Sequence, residues 1–254
     1  GRWKGLESDS IAIAGKLWLD GTELSTVAIS QEGGAVLWED GQGTHGSARF
    51  AGRAVLQRSA FDAFPIFMDL PPNSAVSRAE DCTFQNGAVG LHCSGQSPLR
   101  VEDSHFSRLG TALAIQNNGA ILSCSAFDNN DTAVLADRSL LAMNPTEGGG
   151  WNQFEHNDVH LRLLQAPLPL LLHGLNHFGS WYGHWAQGTV DLSCSGGGMD
   201  WDITGQSWNW PLGWPQIQTG LMATGPTEAC PIHAIDLSPV VQQDCQSGKQ
   251  GKKE

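Results

Sequence analysis

Basic residues are scarce in this 254-residue chain: Lys and Arg number 14 against 26 Asp and Glu, for a formal net charge of −12. The few that occur are unevenly spread. None lies between Arg162 and Lys249, and three of the five lysines fall in the last six residues. A body this acidic repels phosphate backbones and anionic lipid surfaces, so nucleic acid is excluded as an expected partner. Long apolar runs are also missing. The longest, Leu163 to Leu172, holds ten residues with Gln165, Pro167 and Pro169 inside it, against the roughly 20 that span a bilayer. No membrane-spanning segment is expected. Nor is there a charged n-region followed by an apolar h-region, and Gly1 stands where a start methionine would. The chain therefore reads as a processed piece.

Several chemical signatures are absent as well. No Gly-x-Ser-x-Gly elbow, P-loop or Asp-Asp dipeptide occurs, which speaks against serine hydrolase, nucleotide-binding and polygalacturonase-like chemistry. His156 and His160 are four apart but lack the helix and intervening Glu of a zincin. Six cysteines are too few to build a disulfide scaffold of this size, yet their even number and the Trp- and Asn/Gly-rich composition suit a secreted or cell-surface protein. Cys230 and Cys245 bracket a proline-containing tail and are the candidate disulfide. Cys82, Cys93, Cys124 and Cys194 are expected as buried thiols.

What is present is a repeat. Phenylalanines recur at Phe61, Phe84, Phe106, Phe127, Phe154 and Phe178, at steps of 23, 22, 21, 27 and 24 residues. The long step contains Pro145-Thr146-Glu147-Gly148-Gly149-Gly150, a loop insertion by its turn-forming residues. Two residues before each Phe stands a small polar or thiol residue, Ser59, Cys82, Ser104, Ser125, Asn152 or Asn176, and short apolar strands such as Thr111-Ala112-Leu113-Ala114-Ile115 follow. Such a unit of about 22 residues cannot bury its own apolar side. Stacked on copies of itself at about 4.8 Å per layer, it can.

This pattern resembles the coils of right-handed parallel β-helix proteins of the pectate-lyase-like superfamily. The likeness covers residues 55 to 190 best. Gly1-Arg2-Trp3-Lys4-Gly5-Leu6 is similar to the segment that opens secreted bacterial β-helix proteins, and Asp202-Ile203-Thr204-Gly205-Gln206-Ser207-Trp208-Asn209-Trp210 to one that closes them. The expectation is an all-β parallel β-helix over residues 1–228 with irregular first coils and a Trp-rich C-terminal cap, then a tail at 229–254 that is disulfide-pinned and finally disordered. A leucine-rich repeat lacks its Leu-x-x-Leu-x-Leu signature here, and a propeller repeats at about 40 to 45 residues.

In a stack, residues one period apart become neighbours. Glu80-Asp81 and Glu102-Asp103 form one such ladder, and Asp128 and Asp131 match Glu155 and Asp158. Like charges in a ladder repel unless compensated, and hard oxygen clusters bind Ca²⁺. The first group is the candidate metal site, with solvation at the corners as its plain alternative. The resemblance implies that a Ca²⁺-dependent polysaccharide lyase would add a basic proton acceptor, for which Arg78, Arg100 and Arg108 are candidates. Arg78 and Arg100 equally suit the role of counter-ions. Seven of the ten tryptophans follow residue 150. Trp181, Tyr182, Trp185, Trp208, Trp210 and Trp214 are candidates for a sugar-stacking platform, or else for an end cap over the last open edge. The functional expectation is a non-catalytic, secreted or cell-surface module that is structural, adhesive or glycan-contacting within a larger bacterial assembly. The lyase is the alternative.

Overall fold

The computed structural model describes residues 54–72, 76–143, 150–166, 176–179 and 181–191, and, as further strands, 17–20, 23–25, 36–39, 47–51, 199–202, 207–208, 219–224 and 232–235. It is an all-β parallel solenoid of about five turns, roughly 22 residues apart, with no helix among the described residues. Accordingly, no helix is long and apolar enough to cross a membrane.

Each turn contributes strands to three faces. The first face stacks Leu17–Asp20, Ala54–Gln57, Ser77–Glu80, Leu99–Glu102, Gly119–Ser123 and Leu140–Ala142 in parallel register. The second carries the phenylalanines, with Phe61, Phe84, Phe106, Phe127, Phe154 and Phe178 paired one on the next. The same column continues to Leu24 on one side and Trp208 on the other. The third runs through Ile66–Leu70, the later part of Thr83–Gly95 and of His105–Gln116, then Thr132–Asp137, Asn157–Ala166, Trp181–Asp191 and Thr219–Thr224. The antiparallel pair Val36–Glu39 with Ser47–Ala51 departs from this order in the first coils.

Alternation puts one side chain of each pair inside. The six rings of the Phe column are buried and stack face to face, with centroids 4.7 to 4.9 Å apart and interplanar angles of 5 to 16°. Their spacing equals the strand spacing, so the backbone imposes the stack and the rings gain about 0.5–1.5 kcal/mol per pair beyond burial. Ala79, Val101 and Leu122 on the first face and Leu91, Leu113, Val134 and Leu161 on the third fill the rest of the core.

The corners explain the small residue before each Phe. Three residues before Phe the backbone turns left-handed, at Arg58, Asp81, Asp103, Cys124 and Trp151 (φ 48 to 57°), and two residues after Phe it does so again, at Ala63, Asn86, Arg108, Asn129 and His156 (φ 51 to 57°). The first of these turns leaves an N–H pointing inward at the next residue. That N–H finds an acceptor on the following coil: the amides of Cys82, Ser104, Ser125 and Asn152 donate to Ser104 Oγ, Ser125 Oγ, Asn152 Oδ1 and Asn176 Oδ1 at 3.1 to 3.2 Å. The hydroxyls of Ser104 and Ser125 in turn donate to the carbonyls of Glu102 and Ser123. A ladder of small polar side chains thus satisfies buried backbone groups that would otherwise cost about 1–3 kcal/mol each.

The sequence pattern suggests that a turn after Phe separates two strands. The structure has two strands there in most coils, as with Ala126–Asp128 and Thr132–Asp137, but bends single strands, Thr83–Gly95 and His105–Gln116, around the same corner in two of them. Gly95 closes the third corner at φ 111°, where a Cβ would run into the Leu70 carbonyl.

Replacing Phe106 by Ala, with a ring above and below it, is expected to destabilise the fold by about 3–5 kcal/mol. Chemical denaturation monitored by circular dichroism reads this directly. Asn130→Ala is expected to cost about 2 kcal/mol or more, since it strips the partner from a buried N–H and a buried carbonyl and Asn130 holds the Leu109 amide and the Phe106 carbonyl.

Candidate functional site

The corner between the second and third faces is where the exterior opens. Four residues after Phe84, Phe106, Phe127 and Phe154 the sequence places Ala88, Gly110, Asp131 and Asp158 in one column. The early coils offer only small side chains there, and the later ones offer carboxylates. The result is an open groove of about 580 Å³, floored by Gly87, Ala88 and Gly110 and walled by Thr111, Asp131, Thr132, Asp158 and Arg162. Gly110 lets the two coils approach here, since a Cβ would come within 2.8 Å of the Ala88 carbonyl oxygen. Arg162 is held by Gln187 Oε1 at 3.1 Å. Asp131 and Asp158 are exposed and immediately precede the paired Thr132 and Val159.

One coil beyond Asp158, Tyr182 is 69% exposed and its ring centre lies 6.2 Å from that of His156. His156 Nδ1 is 3.2 Å from Asp128 Oδ1, and His177 Nε2 is 2.8 Å from Glu155 Oε1. The Glu155 carboxylate lies over Gly179, where any Cβ would collide with it. Chemically the groove offers carboxylate acceptors, a guanidinium donor and the half-buried Thr111, with an exposed phenol on the next coil. That set suits a ligand rich in hydroxyl groups.

Of the aromatics named as a platform or end cap, Trp185 and Tyr182 are the two whose side chains are described, and they part. Trp185 is 1% exposed and packs edge-on against Phe178 at 6.0 Å, so it is a core residue and offers no face to a sugar. Trp185 and Ala186 are both buried, as are His160 and Leu161 one coil earlier, so two successive residues face inward at this point of the third face. Trp181 pairs with Asn157 at the start of its strand, and Trp208 takes the register position of the core phenylalanines. Of the named aromatics, Tyr182 is the exposed ring on the described surface. Trp210 and Trp214 lie outside the described residues. So do Cys230, Cys245 and Cys194, and the Gly1–Leu6 opening. Within the predicted tail, Ile232–Ile235 pairs in parallel with Met199–Asp202.

At the acidic ladder, Glu80 does pair with Glu102 and Arg78 with Arg100. The carboxylates nevertheless do not converge: among the described residues no three His, Cys, Asp or Glu side chains form a metal-holding group. Asp81 and Asp103 are the left-handed corner residues, so each Glu-Asp pair straddles a turn instead of facing one point. The glutamates are compensated from within the protein. Arg100 Nη1 reaches Glu102 Oε1 at 2.8 Å, Ser123 Oγ approaches the same oxygen at 3.4 Å, and Gln57 Nε2 donates to Glu80 Oε2 at 3.1 Å. Arg108 is an exposed corner residue that reaches Gln85 Oε1 at 3.4 Å. Arg78 and Arg100 thus stand on the first face and Arg108 on the corner after Phe106, so the three do not share a site.

Two thiols are inert by position. Burial pushes Cys82 up to about 11 and Cys93 up to about 12, against opposing hydrogen bonds from the Ser59 and Glu80 backbone and from Asn118 respectively. Asn130-Asp131-Thr132 matches a glycosylation acceptor, but both ends of the Asn130 amide are engaged inside the corner. The floor of the groove was invisible to motif reading, because Gly and Ala carry no chemical signal. Only alignment on the Phe period puts them in line with Asp131 and Asp158.

No family model, curated protein or solved structure matches this chain.

At pH 8, Cys82 and Cys93 are expected to resist a thiol reagent in the native protein and to react once it is denatured, because only the thiolate attacks. Mass spectrometry of the labelled peptides distinguishes them from the other cysteines.

Proposed function

We propose that this chain is a non-catalytic β-helix module, secreted or displayed on a bacterial surface, serving as a rigid structural or adhesive part of a larger assembly and contacting glycans there. The observation that carries the reading is the open groove lined by Asp131, Asp158 and Arg162, followed one coil on by the exposed Tyr182. Sugar hydroxyls donate to carboxylates and accept from a guanidinium, and an aromatic ring covers the apolar face of a sugar. The site rests on paired strands, so it is preorganised and loses little entropy on binding. A solenoid whose coils repeat the same contacts also suits a spacer, since each turn is held by its neighbours. Partners of this kind would be surface glycans and other surface or secreted proteins.

The competing reading is a Ca²⁺-dependent polysaccharide lyase. It needs a basic group free to accept a proton beside a cation. The engagement of Arg100 by Glu102 and the divergence of the Glu-Asp pairs count against it.

The test is a glycan-array screen joined to a polysaccharide-cleavage assay with and without Ca²⁺. Retention of a glycan without unsaturated products is expected, weakened roughly tenfold by Tyr182→Ala and similarly by Asp158→Asn, equivalent to about 1.4 kcal/mol each. Ca²⁺-dependent release of unsaturated sugars would overturn the proposal. Retention unaffected by either substitution would move the contact elsewhere and remove the groove from the argument.

A further inference from the structure

His160 is fully buried in the strand Asn157–Ala166, with its ring centre 5.7 Å from that of Phe154 and 5.9 Å from that of Phe178. It therefore lies at the junction between two coils. Its protonation state is set by Asn157. Oδ1 of Asn157 accepts from both the backbone N–H and the Nδ2 of Asn130, each at 2.9 Å. The amide nitrogen of Asn157 must then face the other way, where it donates to the Phe127 carbonyl and to His160 Nδ1, both at 3.0 Å. Nδ1 is an acceptor, so the imidazole is neutral and carries its proton on Nε2. A second proton could go only on Nδ1. There it would face an N–H donor and put a charge among phenylalanine rings.

We propose that His160 is an acid-sensitive latch: it takes up a proton only when the coil at 176–191 lifts away from the coil at 150–166, so acidification releases the later coil from the stack. Asn157 ties the coil at 150–166 to the one before it, at Phe127 and Asn130, and holds His160 Nδ1 from the same side. From the later coil His160 is covered by Phe178, so the open side through which the ring reaches water is the one that this coil closes.

The sign follows from linkage. Burial holds the His160 imidazole down to about 3, with the Gly179 backbone favouring the charged form and the neighbouring His177 and His156 opposing it. An exposed imidazole titrates near 6.5. Above that value neither state is protonated and the latch is closed. Between 6.5 and 3 the open state binds one more proton than the closed state, so opening increases about tenfold per pH unit. Other titratable groups surround this corner. His177 with Glu155, His156 with Asp128, the groove carboxylates Asp131 and Asp158, Arg162 on Gln187, and His184, which pairs with Val159, all lie on the elements packed around it. Their response is common to the wild type and a His160 variant, so it cancels in a comparison of the two.

The experiment is hydrogen exchange with mass spectrometry on the full chain between pH 7.5 and 5.0, corrected for the intrinsic pH dependence of exchange. Peptides covering 157–166 and 176–191 are expected to open about tenfold more per pH unit below about 6.5, while peptides from 77–116 keep their protection. His160→Gln retains an acceptor for Asn157 and removes the titration, so the acid increment should vanish. Where that variant fails to fold, His160→Phe, which extends the aromatic column, serves the same comparison. An increment that persists in the variant, or one spread equally over 77–116, overturns the latch.

Discussion

The constraint on which the structure depends is the inward-pointing backbone amide at each corner. A coil that turns sharply through one left-handed residue leaves an N–H facing the interior, and no water is available there to satisfy it. The chain answers with a side chain from the next coil, so every turn needs its neighbour for its own hydrogen bonding as well as for its apolar burial. Serine fills this place at Ser104 and Ser125. Asparagine takes over at Asn152 and Asn176, where its longer amide both accepts from the coil before and donates across to Leu122 and Met143 carbonyls. The phenylalanine stack follows from this. Once the corners fix the register, identical positions recur at the strand spacing, and planar rings are the side chains that fill such a column without gaps.

Much of the fold was legible from residues alone because a solenoid writes its geometry into the sequence as a period. Phe106 and Phe127 are neighbours in space because they are one turn apart, and the small residues Ser104 and Ser125 mark where each turn begins. The bent strands were less legible. Asn86 and Arg108 share a backbone conformation but not a chemistry, so no residue pattern announces that the chain passes that corner while still paired.

The site was harder to read than the fold, for a physical reason. Period places Asp131 beside Asp158, but whether side chains meet depends on which side of a corner each stands. Glu80 and Asp81 are adjacent in sequence and were natural candidates for one ion, yet the turn at Asp81 separates them. Trp185 misleads in the opposite sense. Its Trp-rich surroundings suggest a surface, whereas it lies inside against Phe178, in a place where two successive residues, Trp185 and Ala186, both face the core. Tyr182, three residues earlier, stays outside.

The left-handed corner positions have a consequence for how such a chain can vary. Arg58, Asp81, Asp103, Cys124 and Trp151 share one φ to within about ten degrees, although they include a cation, two anions, a thiol and an indole. A backbone setting that accepts this range of side chains is indifferent to them, because the core and the amide ladder are built from the residues that follow. The exterior edge is thus a row of exchangeable positions at fixed spacing along the solenoid. Its surface chemistry can be rewritten turn by turn while the architecture beneath stays the same.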